Sequence, residues 1–186
     1  MATAWHVMKA ELGEVVLRTA GRKRREMRFA REGLVVEKCA TIDIALFAVK
    51  APPPGPKLEL VWPPEFDETV GVVDVGVPPL GMDVGWVGFA ESAIQAFGEP
   101  TVTFCRGRIS AVGLDARDKE TCLFLVDGNV NRGMSGGPVW DSRGEVLGLV
   151  RELWQPEKGS VHMGIVPIGY VLELFKMVRA KGVARE

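Results

Sequence analysis

The chain has 186 residues, of which 47% are hydrophobic and 25% are charged, and its formal net charge is -1. This balance is typical of a globular protein, and the small net charge excludes a global field that would attract nucleic acid or an anionic membrane. No apolar run reaches the length of a membrane span. Three widely spaced cysteines, Cys39, Cys105 and Cys122, do not indicate a disulfide framework, so we expect them to be reduced and mostly buried.

Short apolar runs bounded by Gly, Pro, Asp or Asn dominate the chain, a pattern typical of β-strands. They predict strands over Glu14–Thr19, Arg25–Ala30, Leu34–Cys39, Ile42–Val49, Asp83–Phe89, Val102–Ser110, Cys122–Val126, Gly137–Trp140, Glu145–Arg151 and His162–Val166. A helix is predicted only at the end, over Gly169–Ala180, where Val171, Leu174, Phe175 and Val178 recur at helical spacing.

Proline-rich sequence interrupts the strand pattern between residues 51 and 80. Because proline has no N–H to donate to a sheet, this segment is predicted to be a linker or an edge. We therefore predict an all-β protein with an N-terminal β-barrel lacking its first strands over 1–62, a crossing linker over 63–80, and a C-terminal barrel with a closing helix over 81–186. Within the second unit, Ser142–Gly144 predicts a tight turn that makes Gly137–Arg151 a hairpin.

The most informative stretch is DGNVNRGMSGGPV, which covers residues 127–139. Gly133 can adopt backbone conformations barred to other residues, so that its N–H group and that of Ser135 can converge on one point. Two convergent N–H donors form an oxyanion hole, which stabilises the charge that develops on an attacked carbonyl. Ser135 is therefore the candidate nucleophile, and the alternative is a glycine-rich turn with an incidental serine.

A serine hydroxyl needs an imidazole as base and a carboxylate that orients the imidazole. His6, in the segment TAWHV, is one of two histidines in the chain, and a lone histidine near a terminus is usually a surface residue. Asp43 opens the apolar segment DIALFAV, where an aspartate is often a cap or turn residue. The residue types alone leave these structural alternatives open.

Taken together, the motifs resemble the chymotrypsin-like serine proteases, and most of all the HtrA type. GMSGGP is similar to the family's GDSGGP or GNSGGP signature, with Met134 where the family usually has Asp or Asn. TAWH resembles the family's TAxH segment, DIAL resembles the segment of its catalytic aspartate, and the chain order matches that of chymotrypsin. The resemblance implies His6 as the base, Asp43 as its orienter, Ser135 as the nucleophile, and the Gly133 and Ser135 amides as the oxyanion hole.

The resemblance to the HtrA type covers most of the chain. GMDVGWVGF, TFCRGRISAVG, GEVLGLV and GIVPIGYVLELF are similar to successive segments of that protease domain, and Asp127 stands where HtrA-type sequences have an aspartate. The implied fold is all-β, with two chymotrypsin-like barrels and a C-terminal helix, and no PDZ domain is expected. Because few residues precede His6, we expect an incomplete N-terminal barrel, in a chain that is either truncated or natively trimmed.

The family resemblance also implies where a substrate would bind. In this family the strand after the nucleophile hairpin pairs with the substrate backbone, and here that strand is Leu149–Leu153. Backbone pairing gives general affinity for peptides, and side-chain pockets give specificity. The resemblance therefore implies Val150, Arg151 and Leu153 as substrate-binding residues.

Two further residues are candidates for the primary specificity pocket. Asn129 maps near its base, and because this side chain is neutral, a preference for Lys or Arg is disfavoured. His162 either borders the pocket, where some relatives use a histidine to select Gln or Glu, or is a structural histidine on a barrel strand. We expect a small or medium apolar residue before the scissile bond.

The sequence thus predicts a serine endopeptidase that hydrolyses polypeptides through an acyl-enzyme intermediate, without a cofactor or a metal. The alternative is a protease-fold pseudoenzyme that binds peptides without turnover, whereas Ser135 disfavours a cysteine-type protease. The basic run Arg22–Arg25 is interpreted as a solvated hairpin tip, and no nucleic-acid partner is expected. A homo-oligomer is left open. The expected location is cytoplasmic by default, and secreted or periplasmic if the natural chain starts further upstream.

Overall fold

The computed structural model describes residues 2–4, 14–18, 26–30, 34–40, 43–49, 76–117, 119–154 and 161–180. The first unit contains β1 (Ala2–Ala4), β2 (Glu14–Arg18), β3 (Glu26–Ala30), β4 (Leu34–Cys39) and β5 (Ile44–Val49). The second contains β6 (Asp83–Gly88), α1 (Glu91–Phe97), β7 (Thr103–Leu114), β8 (Cys122–Gly128), β9 (Pro138–Asp141), β10 (Val146–Trp154), β11 (His162–Pro167) and α2 (Ile168–Ala180). His6, Arg22–Arg25 and most of the proline-rich segment lie outside the described residues.

The second unit is a closed six-stranded barrel in the order β10-β11-β8-β7-β6-β9. All neighbouring strands run antiparallel, and alternate side chains therefore point into the barrel. Trp86, Phe124, Val126, Met163 and Ile165 fill its interior, and each of them is at most 2% exposed. Burial of these large apolar side chains is the main force that holds the barrel closed.

The first unit is smaller and does not close within the described residues. β1, β5 and β4 form one antiparallel sheet in that order, and among the described strands β2 pairs only with β3. Within the part of the chain that the structure describes, the N-terminal barrel is thus incomplete, as predicted. In the β1–β5 register, Ala4 lies opposite Ile44. The chain just before His6 therefore runs beside the chain just after Asp43.

A second apolar cluster joins the first unit to the outside of the barrel. Its buried members are Ile44, Leu46, Leu123, Leu149, Val166, Val171 and Leu174. They come from β5, from three barrel strands and from α2, so that α2 closes the gap between the sheet and the barrel. The cluster holds the start of β5 against β10.

The structure confirms the predicted all-β fold class, the predicted strands and the terminal helix, with small changes at their ends. The predicted turn is also present, because the Gly144 N–H donates to the Asp141 carbonyl oxygen at 3.1 Å and Gly144 has φ of 83°. The prediction of a single helix was wrong, because α1 also forms and ends at Gly98. A helix of seven residues contains too few apolar repeats for periodicity to predict it. In the described part of the chain, neither helix has the length and hydropathy needed to cross a bilayer.

The joining cluster is tested by replacing one of two leucines on the β7–β8 hairpin. Leu123 is 5% exposed and belongs to the cluster, whereas Leu114 is 64% exposed. Leu123→Ala should lower the free energy of unfolding by about 2–5 kcal/mol, because it leaves a cavity in a packed region. Leu114→Ala should change it by less than about 0.5 kcal/mol in the same urea titration. Equal losses would contradict this packing.

Candidate functional site

A cavity of about 310 Å³ opens beside Ser135. It is lined by Asn131, Arg132, Gly133, Ser135, Val150, Glu152 and Leu153. These residues come from two segments, the turn between β8 and β9 and the second half of β10. The cavity therefore brings together the residues predicted for the nucleophile and the oxyanion hole with two residues predicted for substrate binding.

Main-chain hydrogen bonds tie the turn that carries Ser135 to β10. The Gly136 N–H donates to the Val150 carbonyl oxygen at 2.7 Å, and the Val150 N–H donates to the Gly137 carbonyl oxygen at 2.8 Å. Gly136 has φ of 84°, a conformation that favours glycine. The turn is therefore fixed at the end where it enters β9, and Ser135 lies beside β10.

The start of the same turn is held by α1. The Glu91 N–H donates to the Arg132 carbonyl oxygen at 2.8 Å. A trans peptide unit directs its C=O and N–H in opposite directions, so the Gly133 N–H points away from α1. Gly133 has φ of 86°, and a Cβ atom there would lie 2.3 Å from the Phe89 carbonyl oxygen, so only glycine fits.

Side chains around the turn fix it further. Ser92 Oγ of α1 donates to Asn131 Oδ1 at 3.1 Å. Burial raises the pKa of the Cys105 thiol, and a hydrogen bond with Asn131 acts in the opposite direction. Met134 is 1% exposed and packs into the barrel core, which explains how an apolar residue can precede Ser135. Glu91 and Ser92 were missed from the sequence because α1 was not predicted.

Asp43 lies at the turn that leads into β5. It is half-buried, has φ of 57° and donates its N–H to the Ala40 carbonyl oxygen at 3.3 Å. Aspartate is one of the few residues other than glycine that occur in this conformation. The next residue, Ile44, packs in the joining cluster with Leu149, which is followed by Val150 of the cavity. His6 lies outside the described residues.

The remaining sequence candidates do not line the cavity. Asn129 is exposed and follows β8, and Arg151 is buried with its guanidinium paired to Asp115. His162 begins β11, where its Nδ1 lies 3.3 Å from Ser110 Oγ. Asn131, rather than Asn129, contributes to the cavity wall.

A compact group of four charged residues, Asp115, Arg117, Arg151 and Glu152, adjoins the cavity through Glu152. Asp115, whose side chain is 0% exposed, accepts hydrogen bonds from Arg117 Nε at 2.9 Å and from Arg151 Nη1 at 2.8 Å. Arg117 also binds both carboxylate oxygens of Glu152. The hydrogen bonds from Arg117 lower the pKa of Asp115 to about 2, although burial acts to raise it. Asp115 and Arg117 are far in the sequence from Arg151 and Glu152, with 36 positions between Asp115 and Arg151, and no spacing pattern predicted that the two pairs would meet.

Comparison with models of known protein families shows to which family the chain belongs. Residues 1–149 match the model of the trypsin-like peptidase domain, which is most of the chain. The chain belongs to the trypsin-like peptidase family. Comparison with curated protein sequences gives no match.

Solved structures with the same fold include three proteases. The MamO protease domain from Magnetospirillum magneticum is 17% identical, with 92% of this chain covering 80% of that one and a TM-score of 0.61. The Rv3671c protease from M. tuberculosis in its active form is 23% identical, with coverages of 94% and 67% and a TM-score of 0.61. The HtrA-type protease AlgW, solved with a decapeptide, is 20% identical, with coverages of 97% and 48% and a TM-score of 0.61. These three structures share the fold of this chain.

The close approach at Gly133 is tested by paired alanine substitutions. Gly133 and Gly144 have similar positive φ angles, but a Cβ atom at Gly144 would meet nothing within 4 Å. Gly144→Ala should therefore cost about 1–2 kcal/mol in unfolding free energy, the strain of the left-handed conformation alone. Gly133→Ala should cost clearly more, because it adds a clash with the Phe89 carbonyl. Equal costs in urea unfolding would mean that the turn does not lie against Phe89.

The pKa of Asp115 predicts a pH dependence of stability. This pKa is about 2 in the folded protein, below its ordinary value of 3.8, so the unfolded state binds the proton more readily between these values. The stabilising contribution of Asp115 is complete above pH 3.8 and is lost as the pH falls to about 2. The difference in unfolding free energy between the parent chain and Asp115→Asn should shrink over that interval. A constant difference would contradict the lowered pKa.

Proposed function

We propose that this trypsin-like peptidase domain is a serine endopeptidase. In the proposed reaction, Ser135 Oγ attacks the carbonyl carbon of a peptide bond, while His6 takes the hydroxyl proton and returns it to the leaving amine. Water then hydrolyses the acyl-enzyme. The observation that carries the proposal is the cavity that Ser135 lines together with the second half of β10, which from Glu152 onward pairs along one edge with β11 and along the other with no strand of the described residues.

The backbone of the turn supports the proposed oxyanion hole. Glu91 holds the Arg132 carbonyl oxygen on the α1 side, which turns the Gly133 N–H away from α1. Gly133 and Ser135 both line the cavity, where a carbonyl oxygen could accept hydrogen bonds from their amides. Donors fixed before the reaction stabilise a developing negative charge without reorganisation in the transition state.

The register of the first unit supports the proposed roles of His6 and Asp43. Ala4, two residues before His6, lies opposite Ile44, the residue after Asp43. Two residues of chain span at most about 7 Å, so the pairing of Ala4 with Ile44 is compatible with the contact proposed between His6 and Asp43. The joining cluster holds Ile44 near β10, on which the Ser135 turn rests. Asp43 would orient the imidazole and stabilise its charged form.

A polypeptide is the proposed substrate. Glu152–Trp154 pair with β11 along one edge, and no strand of the described residues pairs with their other edge, although Glu152 and Leu153 line the cavity. An extended peptide could add to this edge as a strand and bring its carbonyl carbon to Ser135. AlgW, a structural relative, was solved with a decapeptide.

The proposal is tested by labelling with a fluorophosphonate, from which Ser135 Oγ displaces fluoride to form a bond with phosphorus. We expect the parent chain to be labelled and Ser135→Ala to be inert. Asp43→Asn should react about 10,000-fold more slowly, because the imidazole loses its orienting carboxylate. Labelling rates are measured by intact-protein mass spectrometry.

The matched control is Ser142→Ala, which removes an exposed serine from the β9–β10 turn and should leave labelling unchanged. Circular dichroism verifies that each variant is folded. A folded parent chain that is never labelled would overturn the endopeptidase proposal. Binding of an extended peptide by that chain would then indicate a peptide-binding pseudoenzyme.

A further inference from the structure

The edge proposed to pair with substrate begins at a β-bulge. Val150 pairs with Ile165 and Glu152 pairs with Gly164, so Arg151 is an extra residue without a counterpart on β11. A bulge bends its strand and changes the direction of the side chains that follow it. The path of β10 past the cavity therefore depends on how Arg151 is held.

Arg151 is held from the β7–β8 connection by Asp115. The guanidinium of Arg151, whose side chain is 6% exposed, donates to Asp115 Oδ2 at 2.8 Å. The main chain fixes Asp115 in turn, since its N–H donates to the Thr121 carbonyl oxygen at 2.8 Å and its carbonyl oxygen accepts from the Lys119 N–H at 2.7 Å. The buried carboxylate is thus a rigid anchor for the bulge.

Arg117 extends the same anchor along the edge. Its Nη2 donates to Asp115 Oδ2 at 2.6 Å, and its Nη1 donates to Glu152 Oε2 at 3.1 Å. Its guanidinium carbon also lies 5.6 Å from the centre of the Trp154 ring. One loop therefore holds the bulge residue and two residues that follow it. Two-fold contacts between guanidinium and carboxylate fix orientation as well as distance.

The charges of this group balance within it. Asp115 and Glu152 are negative, Arg117 and Arg151 are positive, and each carboxylate contacts an arginine. Buried ion pairs are a weak source of stability, because desolvation of the charges offsets their attraction. Their directional hydrogen bonds instead impose one geometry on the strand, which apolar contacts would not do.

We propose that Asp115, Arg117 and Arg151 are positioning residues that hold β10 at Glu152–Trp154 in the shape needed to pair with a peptide. This inference rests on the proposed peptidase function. Arg151 acts through its buried side chain and not by touching the substrate. The nucleophile turn does not depend on this group, because its hydrogen bonds to β10 are made at Val150, before the bulge.

The test compares two probes that react with the same serine. One is a small fluorophosphonate without a peptide, and the other is a peptidyl diphenyl phosphonate, from which Ser135 Oγ displaces phenoxide. The variants are Arg151→Met, which leaves Asp115 paired with Arg117, and the milder Arg117→Met, which leaves Asp115 paired with Arg151. The control is Arg143→Met, which removes an arginine–aspartate pair, Arg143 with Asp141 at 2.9 Å, at the other end of β10.

We expect the peptidyl probe to react about 10- to 100-fold more slowly with both variants, because the edge is misplaced. The small probe should keep its rate, and the control should react normally with both probes. Amide hydrogen exchange should become faster at Glu152–Trp154 and not in the β6–β7 hairpin. Rates that fall equally for both probes, or a peptidyl rate that does not change, would overturn the inference.

Failure of the proposed reaction is distinguishable from failure of this inference. If neither probe labels the folded parent chain, the reaction is wrong, and hydrogen exchange decides the positioning role by itself. Faster exchange confined to Glu152–Trp154 in Arg151→Met and Arg117→Met would support that role. Exchange that is unchanged, or faster throughout the barrel, would overturn it.

Discussion

Two main-chain hydrogen bonds between Val150 and the turn that follows Ser135 set the geometry of the whole site. They fasten Gly136 and Gly137 to β10, so that the serine is placed relative to the strand edge and not only relative to its own turn. A site assembled on a closed barrel inherits the rigidity of the barrel. The other groups of the site are positioned relative to these two hydrogen bonds.

Apolar packing and ion pairs hold different parts of the site in place. The joining cluster brings β5, and with it Asp43, against the outer face of the barrel through contacts such as Ile44 with Leu149. Such contacts are strong but non-directional. At the bulge, the pairs that the buried carboxylate of Asp115 makes with Arg117 and Arg151 supply direction. The first unit is therefore held in place by buried apolar surface, whereas the strand edge is held by directional hydrogen bonds.

Much of the barrel could be predicted because each strand is a short apolar run that ends at a turn residue. The Ser135 turn was also predictable, since Gly133 and Gly136 occupy positive φ angles that favour glycine. The helix α1 was not predictable, because seven residues give no clear periodicity and Ala90, at the N-cap position before Glu91, makes no side-chain capping hydrogen bond. As a result, the hold of Glu91 on the turn also escaped prediction.

The group of Asp115, Arg117, Arg151 and Glu152 could not be predicted from the sequence, for a different reason. Arg151 was expected at the substrate, because it lies on Leu149–Leu153, the strand that pairs with substrate in the family that the sequence resembles. The bulge between Val150 and Glu152 interrupts the regular strand at Arg151, and the partner Asp115 is distant in the sequence. Bulges and long-range ion pairs depend on which strands meet, which only the folded chain determines.

The central claim, that one cavity joins a reactive serine to a peptide-pairing edge, is tested most directly by a crystal structure after treatment with a peptidyl phosphonate. We expect phosphorus bonded to Ser135 Oγ and a phosphonyl oxygen that accepts hydrogen bonds from the Gly133 and Ser135 amides. We also expect the peptide to pair with β10 along Glu152–Leu153. An unmodified Ser135, or a peptide bound on another surface, would contradict it.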